Sequence, residues 1–586
     1  MTGLFFRHLA LVCCLFLAVG AVAAPKPVLK YSIKGLNDQQ LANAQAFLGP
    51  APITEEERDN FLFSAEKLVQ ESLNALGYYQ GHIELELNRN RTPWKLTLYV
   101  DPGERVRIAN VDVRVEGEAA DDPVFSEFLE ESILQVGDGL HHENYEEFKN
   151  GLQTLGRERG YFDARMTRHR VTVDLAAQEA IVELHYDSGK RFNFGKVLWD
   201  DYPLRSELLE SLQTFEEGEP FSAILLSQFQ ADLQRAGYFD SALVRPLVPD
   251  SDSHSIPVQV ELQQGNRNHY RVGVGYSTDT QGRLSFSWRT PKINEQGHSQ
   301  ETRVEYSPIT PKVRFDYRIP QGNPLEDSFL LGARVERNTY GSLDSEQTIL
   351  SMRREWVRKE WVSGLGLRYL DEDWEIGRET LNNNYVLPGA SLSHTTRRGN
   401  ALDPSLGFSQ LYGLEFGLAE AGSDLNLLRM YTNLRGVISL GERHRMVGRA
   451  ELGAVFFPDN SRPDLAPSLS FFAGGAQSIR GYAYQSLGPV ENVTRPDGSE
   501  VALVVGGDRL AVVSAEYQYY VTPEWRLTTF VDAGNAFNAR DFDAVVGAGF
   551  GVHYVSPVGA IRIDFGNPVS EESSSWRVHL NVGAEF

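Results

Sequence analysis

From about Asn266 to Phe586 the chain alternates apolar and polar residues with a period of two. In the last segment Arg577, His579, Asn581, Gly583 and Glu585 share one face, while Val578, Leu580, Val582, Ala584 and Phe586 share the other. Ala511, Val513, Ala515, Tyr517 and Tyr519 likewise oppose Val512, Ser514, Glu516 and Gln518, and Ile561, Ile563 and Phe565 oppose Arg562 and Asp564. One apolar and one polar face over about ten residues suits a strand that crosses a bilayer in a barrel. A soluble sandwich also alternates. Against it stand the terminal aromatic Phe586, the length of the uniform region, and aromatic residues near strand ends such as Trp356, Trp361, Tyr520 and Trp525, which fit an interfacial girdle. A backbone in lipid has to close on itself to satisfy its hydrogen bonds. With about fifty residues set aside for one long loop and roughly 17 per strand and connection, the region predicts about sixteen antiparallel strands, with fourteen and eighteen as the neighbouring even solutions.

The first half carries a different pattern, and it repeats. Gly77-Tyr78-Tyr79, Gly160-Tyr161-Phe162 and Gly237-Tyr238-Phe239 each follow a helical pattern, at 61–76, 145–159 and 225–236. The glycine fits a helix C-cap. Alternating runs follow at Ile83–Leu87, Ala180–Leu184 and Val258–Leu262. A second marker closes each unit: Gly103-Glu104-Arg105, Gly189-Lys190-Arg191 and Gly265-Asn266-Arg267. Two markers in phase over three copies predict three α+β modules of helices followed by two strands, at 25–103, 104–188 and 189–265, ahead of a barrel at 266–586.

Composition narrows the function classes. Residues 1–24 form a signal peptide: Arg7 and His8, an apolar run from Leu9 to Val19, and a small-residue cleavage site at Ala21–Ala24. Both cysteines, Cys13 and Cys14, lie inside it, so the mature chain has no thiol for a disulfide, a nucleophile or a metal. The net charge of −23 becomes −24 when Arg7 leaves, which argues against nucleic acid. Later in the chain, no run of eighteen apolar residues predicts a transmembrane helix.

Between Pro458 and Gly507 alternation gives way to glycine, proline and aspartate. A loop of this length usually has a job. It holds Arg480, Gly481 and Tyr482, and the strand around Phe530–Gly534 turns Asp532 inward if Thr529, Val531 and Ala533 face lipid. A guanidinium folded into the lumen would give that carboxylate a two-pronged partner, with Gly481 permitting close backbone approach and Tyr482 stacking on the wall. A one-to-one pair predicts that Arg480→Glu impairs function and that adding Asp532→Arg partly restores it.

These motifs carry a resemblance. The helix–Gly-Tyr-aromatic–strand modules resemble POTRA domains. Ser478–Tyr482 resembles the (V/I)RG(F/Y) loop motif, and Phe530–Gly534 the FxDxG strand motif, of the BamA/TamA superfamily of outer-membrane assembly factors. The resemblance implies that Arg480 pairs with Asp532, with Gly481, Tyr482 and Gly534 around them, pinning the loop in the barrel. Three modules, with the flanking Phe471–Gly475 and Ala483–Pro489, are most similar to the TamA-type branch. That implies a Gram-negative outer membrane with periplasmic modules, a periplasm-spanning TamB-like partner, client outer-membrane proteins of autotransporter type, and outer-membrane lipids. Gly273 and Gly275 in the first strand, with Gly583 and Phe586 in the last, predict a weak closing seam that admits a client strand. The alternatives are support of phospholipid transport with the same partner, or a passive or two-partner-secretion channel.

No catalytic, metal or cofactor site is expected. The chain lacks a nucleophile elbow, an HExxH helix and a phosphate loop. His141-His142-Glu143 reads as a helix start and Gly547–Gly551 as strand glycine.

Overall fold

The structure, a computed structural model, describes residues 26–247, 253–376, 379–400, 403–458, 464–494, 500–556, 559–571 and 575–583. The predicted signal segment 1–24 and Phe586 lie outside them. The chain divides into two compact units, one of residues 1–197, 215–225 and 246–258, the other of 198–214, 226–245 and 259–586.

The first module runs β1 (Leu29–Lys34), α1 (Asp38–Leu48), α2 (Glu55–Ala75), β2 (His82–Asn88) and β3 (Trp94–Asp101). Capping boxes start both helices: Asn37 with Gln40, and Thr54 with Glu57. The sheet order is β1-β3-β2, with β1 parallel to β3. Leu29, Ala65, Val69, Leu73 and Leu98 are fully buried between helices and sheet.

The second module repeats the plan as β4 (Arg107–Glu116), α3 (Pro123–Glu130), α4 (His142–Arg159), β5 (Arg165–Asp174) and β6 (Glu179–Asp187), in the order β4-β6-β5. As expected, His141–Glu143 is the start of α4. Asp122 caps α3, receives a bidentate pair of bonds from Arg159 at 3.0 Å each, and accepts the Tyr161 hydroxyl at 3.3 Å. Burial and then the Asp122 charge push that phenol up to about 12, so it stays a neutral donor. The third module is β7 (Asn193–Trp199), α5 (Ser206–Glu210), α6 (Ala223–Ala236), β8 (Phe239–Pro246) and β9 (Ser255–Gln264), in the order β7-β9-β8. The expected helices and two strands are present in each module. A leading strand precedes them, and in the first two modules it pairs in parallel with the central strand.

The Gly-x-Arg markers sit at module junctions. Arg105 Nε donates to the Leu76 carbonyl at 2.9 Å and its Nη2 to Leu140 at 3.0 Å. Arg191 Nε donates to the Arg159 carbonyl at 2.8 Å and its Nη2 to Phe221 at 3.0 Å. The next residue repeats the correspondence: the N–H groups of Val106 and Phe192 donate to Gly77 and Gly160, and their carbonyls accept from Leu140 and Phe221. Each junction is thus held by four equivalent bonds.

The barrel has sixteen strands. They are β10 (His269–Ser277), β11 (Gln281–Thr290), β12 (Ser299–Tyr306), β13 (Lys312–Pro320), β14 (Asp327–Tyr340), β15 (Leu343–Arg358), β16 (Trp361–Ile376), β17 (Glu379–Gly399), β18 (Pro404–Gly417), β19 (Leu427–Leu440) and β20 (His444–Phe456). The long connection then contributes its own hairpin, β21 (Val490–Thr494) with β22 (Glu500–Val504), which stays outside the barrel ladder. The barrel resumes with β23 (Arg509–Tyr520), β24 (Trp525–Phe537), β25 (Val545–Ser556), β26 (Gly559–Pro568) and β27 (Arg577–Gly583), and closes from β27 to β10. Outward positions such as Val274, Leu284, Val513, Val531 and Phe550 are exposed and apolar, and their neighbours Ser514, Glu516, Asp532 and His579 are buried. The predicted faces therefore hold in β23, β24, β26 and β27. Tyr520 departs from the girdle reading. It turns inward with Gln518, and its hydroxyl donates to Asp403 at 2.7 Å.

Candidate functional site

The long loop folds back into the lumen. Leu469, Phe471, Ala473, Ile479 and Tyr482 are buried against inward apolar residues of the wall, among them Leu343, Leu370, Trp374 and Val512. Polar anchors fix its descent. Glu372, fully buried, accepts from the Ser345 hydroxyl at 2.6 Å and from the Ser468 N–H at 3.1 Å, and also pairs with the Ser468 hydroxyl. Arg429 Nε donates to the Leu469 carbonyl at 3.1 Å.

Arg480 stands at the centre and is 2% exposed. Its Nε and Nη2 donate to Asp532 at 2.8 and 2.9 Å, and its own N–H donates to the same carboxylate at 3.0 Å. Nη1 donates to Glu516 at 2.6 Å and lies 3.5 Å from Asp564. The guanidinium carbon sits 3.4 Å from the centre of the Phe530 ring, so β24 offers a cation–π floor two residues from the carboxylate. Arg449 Nη2 is 3.6 Å from Asp532, and its Nη1 donates to the Gln477 carbonyl at 2.8 Å. The motif pair is therefore a network of two guanidinium groups and three carboxylates, which supplies the pairing a buried charge requires.

The remaining motif residues make this approach possible. Gly481 has φ +99°, and a Cβ there would lie 2.8 Å from the Asn567 carbonyl carbon. Its N–H donates to His579 Nε2 on β27 at 3.0 Å. A Cβ at Gly547 would lie 1.9 Å from the Arg480 carbonyl oxygen, and one at Gly566 2.5 Å from the Gly481 nitrogen. Glycine in β25 and β26 thus clears a socket for the loop backbone. Gly534 stays close to β23, where a Cβ would meet the Ala511 oxygen at 2.0 Å.

On the other side, the Ala476 N–H donates to Asp279 in the β10–β11 turn at 2.9 Å. Residues 476 and 481 of one loop therefore bind both strands that flank the closure, β10 through its turn and β27 directly. That closure is sparse. Among the described residues only Ser277 and Asn581 pair across it, with Thr278 N–H donating to the Leu580 carbonyl at 3.2 Å, whereas nine residue pairs join β10 to β11 and seven join β26 to β27. Gly273 and Gly275 pair with β11 and Gly583 with β26, and among the described residues these glycines make no pair across the closure.

The network continues down the lumen. Glu516 also accepts from Gln518 at 2.5 Å, and Gln518 accepts from Arg445 at 2.6 Å and Arg526 at 2.7 Å. Both arginines reach Asp403 beside the β17–β18 turn, at 3.4 and 3.3 Å.

Comparisons with known proteins agree with this geometry. The Omp85 superfamily domain matches residues 258–586, and the first POTRA domain of TamA matches residues 30–102. The outer membrane protein assembly factor BamA of Nitratidesulfovibrio vulgaris is 24% identical over 439 residues, covering 70% of this chain. The chain spans about half of that relative, 54% of its length. BamA of Neisseria meningitidis serogroup B is 20% identical, with 89% of this chain and 73% of the relative covered. The crystal structure of BamA from Haemophilus ducreyi lacking POTRA domains 1–3 superposes with a TM-score of 0.68 at 16% identity, over 82% of this chain and 99% of that one, and so shares its fold. A match over more than half of the chain, on a sixteen-stranded barrel with an inward arginine loop, places the protein in the Omp85 superfamily.

Proposed function

We propose that this protein is an outer-membrane assembly factor that inserts or secretes client β-barrel proteins by adding their strands at the β10–β27 seam. The observation that carries this reading is the single ladder pair across that seam. Every other pair of neighbouring barrel strands is joined by seven or more residue pairs, and an unpaired strand edge is a template for an incoming strand. The loop bonds to Asp279 and His579 support a refinement: the docked loop holds the two seam strands from inside, and its release frees them.

The TamA-type first module supports placing the chain beside a TamB-like, periplasm-spanning partner, with autotransporter-type clients and the modules in the periplasm. The lumen network binds the loop, which supports reading it as a latch. A photo-cross-linking residue in place of Tyr276, an outward position on β10, tests the seam. It should capture a client arrested during assembly, and the same residue in place of Phe315 on β13 should not. Equal capture at both positions would sink the reading. Co-purification with and without residues 27–103 tests the partner, whose loss on deletion is expected.

A further inference from the structure

The end of the barrel away from the long loop holds a second feature that the latch does not use. A cavity of about 600 Å3 opens there, walled by strands β11 to β15 and by residues 235–238 of the third module. Its lining presents five guanidinium groups, from Arg235, Arg289, Arg314, Arg318 and Arg353.

Only three carboxylates share the lining, Glu301, Asp316 and Glu355. Each is already engaged. Glu301 takes Arg303 at 2.9 Å, Asp316 takes Arg314 at 2.6 Å, and Glu355 takes Arg353 at 2.7 Å. Arg235 pairs with Asp232 on its own helix. Arg318 is left with one long contact, 3.7 Å from the occupied Glu355. Arg289, across the ladder from Glu301, has no ion pair within 4 Å among the described residues. Both guanidinium groups line this one cavity, and Arg289 reaches the third module, where a Cβ at Gly237 would lie 3.3 Å from its Nη2. A local cationic excess in a chain of net charge −23 runs against the mean field of the protein.

The volume falls in the range of small-molecule sites, roughly 300–1,000 Å3, and exceeds the need of a bare ion. Pro291, Pro324, Leu325 and Leu330 add apolar surface beside the charges. We propose that this cavity binds a phosphoryl anion, with Arg289 and Arg318 as the recognising pair. Guanidinium groups match phosphate oxygens in pairs of parallel bonds, which favours a phosphate ester over a single carboxylate. The inference rests on the barrel reading and not on the seam, so failure to bind phosphate leaves client insertion intact.

Calorimetric titration of the full chain in dodecyl maltoside tests it, with three probes: dihexanoyl phosphatidylglycerol, dihexanoyl phosphatidylcholine with the same chains but no net charge, and inorganic phosphate. The expected result is saturable binding of phosphatidylglycerol near one equivalent, at least ten-fold tighter than phosphatidylcholine, and at least ten-fold weaker in Arg289→Gln/Arg318→Gln. Inorganic phosphate that competes with equal affinity would support the site and assign it to the free ion; phosphate that competes weakly assigns it to a lipid headgroup. Arg334→Gln, whose side chain pairs with Glu336 on β14, should bind as the unaltered protein does. Heat-modifiable gel migration checks that each variant is folded. Equal binding of the two lipids, or equal binding by a folded Arg289→Gln/Arg318→Gln variant, overturns the proposal.

Discussion

Replacing Arg480 with methionine keeps much of the side-chain volume and removes every charged donor. Asp532, fully buried, then loses two side-chain bonds, and Glu516, 8% exposed, loses its bond from Nη1. Removing one partner of a buried ion pair costs about 3–5 kcal/mol, because the other charge stays buried. Arg449, 3.6 Å from Asp532, remains as a second cation and holds the loss to the lower end, about 3 kcal/mol. At about 1.4 kcal/mol per factor of ten, the loop should undock roughly a hundred-fold more often. The measurement is maleimide modification of Ala476→Cys, a position 8% exposed in the docked loop. The only native cysteines, Cys13 and Cys14, lie in the predicted signal segment, so the mature protein has no competing thiol. If modification requires undocking, its rate should rise by that factor in Arg480→Met, and by less in Arg480→Lys, which keeps one charge but loses the fork. A rate unchanged within two-fold would refute the account of the loop as held by this charge network.

Charge reversal separates the network from a simple pair: Arg480→Glu with Asp532→Arg should fail to restore client assembly, because it sets a carboxylate beside Glu516 and Asp564 and a guanidinium beside Arg449. Restoration would mean that Asp532 alone holds the loop. Gly547→Val should match Arg480→Met in the maleimide assay without altering any charge, since its Cβ would fall 1.9 Å from the Arg480 oxygen. Arg105→Ala and Arg191→Ala each remove two of the four bonds at a module junction, and spin-label distance distributions across that junction should broaden; unchanged widths would leave the arginines without a positioning role. In planar bilayers the plugged lumen should give small, flickering conductance, and large steady openings would contradict it.

Alternation in the sequence was enough to turn Asp532, Glu516, His579 and Asp564 to one side of their strands, because one face of each meets lipid. It did not show that these four converge on Arg480 and Gly481, since a strand's face is set locally but its neighbours across the lumen are set by barrel closure. Asp279 gave no signal at all, for it lies in a turn. Tyr520 reads as a girdle residue by its place at a strand end, yet it faces Asp403 inside. Leu343, Leu370 and Trp374 break the rule that apolar residues face outward, because the inserted loop brings its own apolar surface to them. The leading strands β1, β4 and β7 escaped notice: each pairs across two helices rather than with the next strand, so no hairpin signal marks them.

The central claim is that clients enter where β10 meets β27. Ser277→Cys with Asn581→Cys, a pair in register across that closure, locks it as a disulfide, and Val272→Cys with Phe286→Cys locks β10 to β11 as a control. Client assembly should stop in the oxidised seam mutant, return on reduction, and continue in the oxidised control. Undiminished assembly through a locked seam would contradict the account.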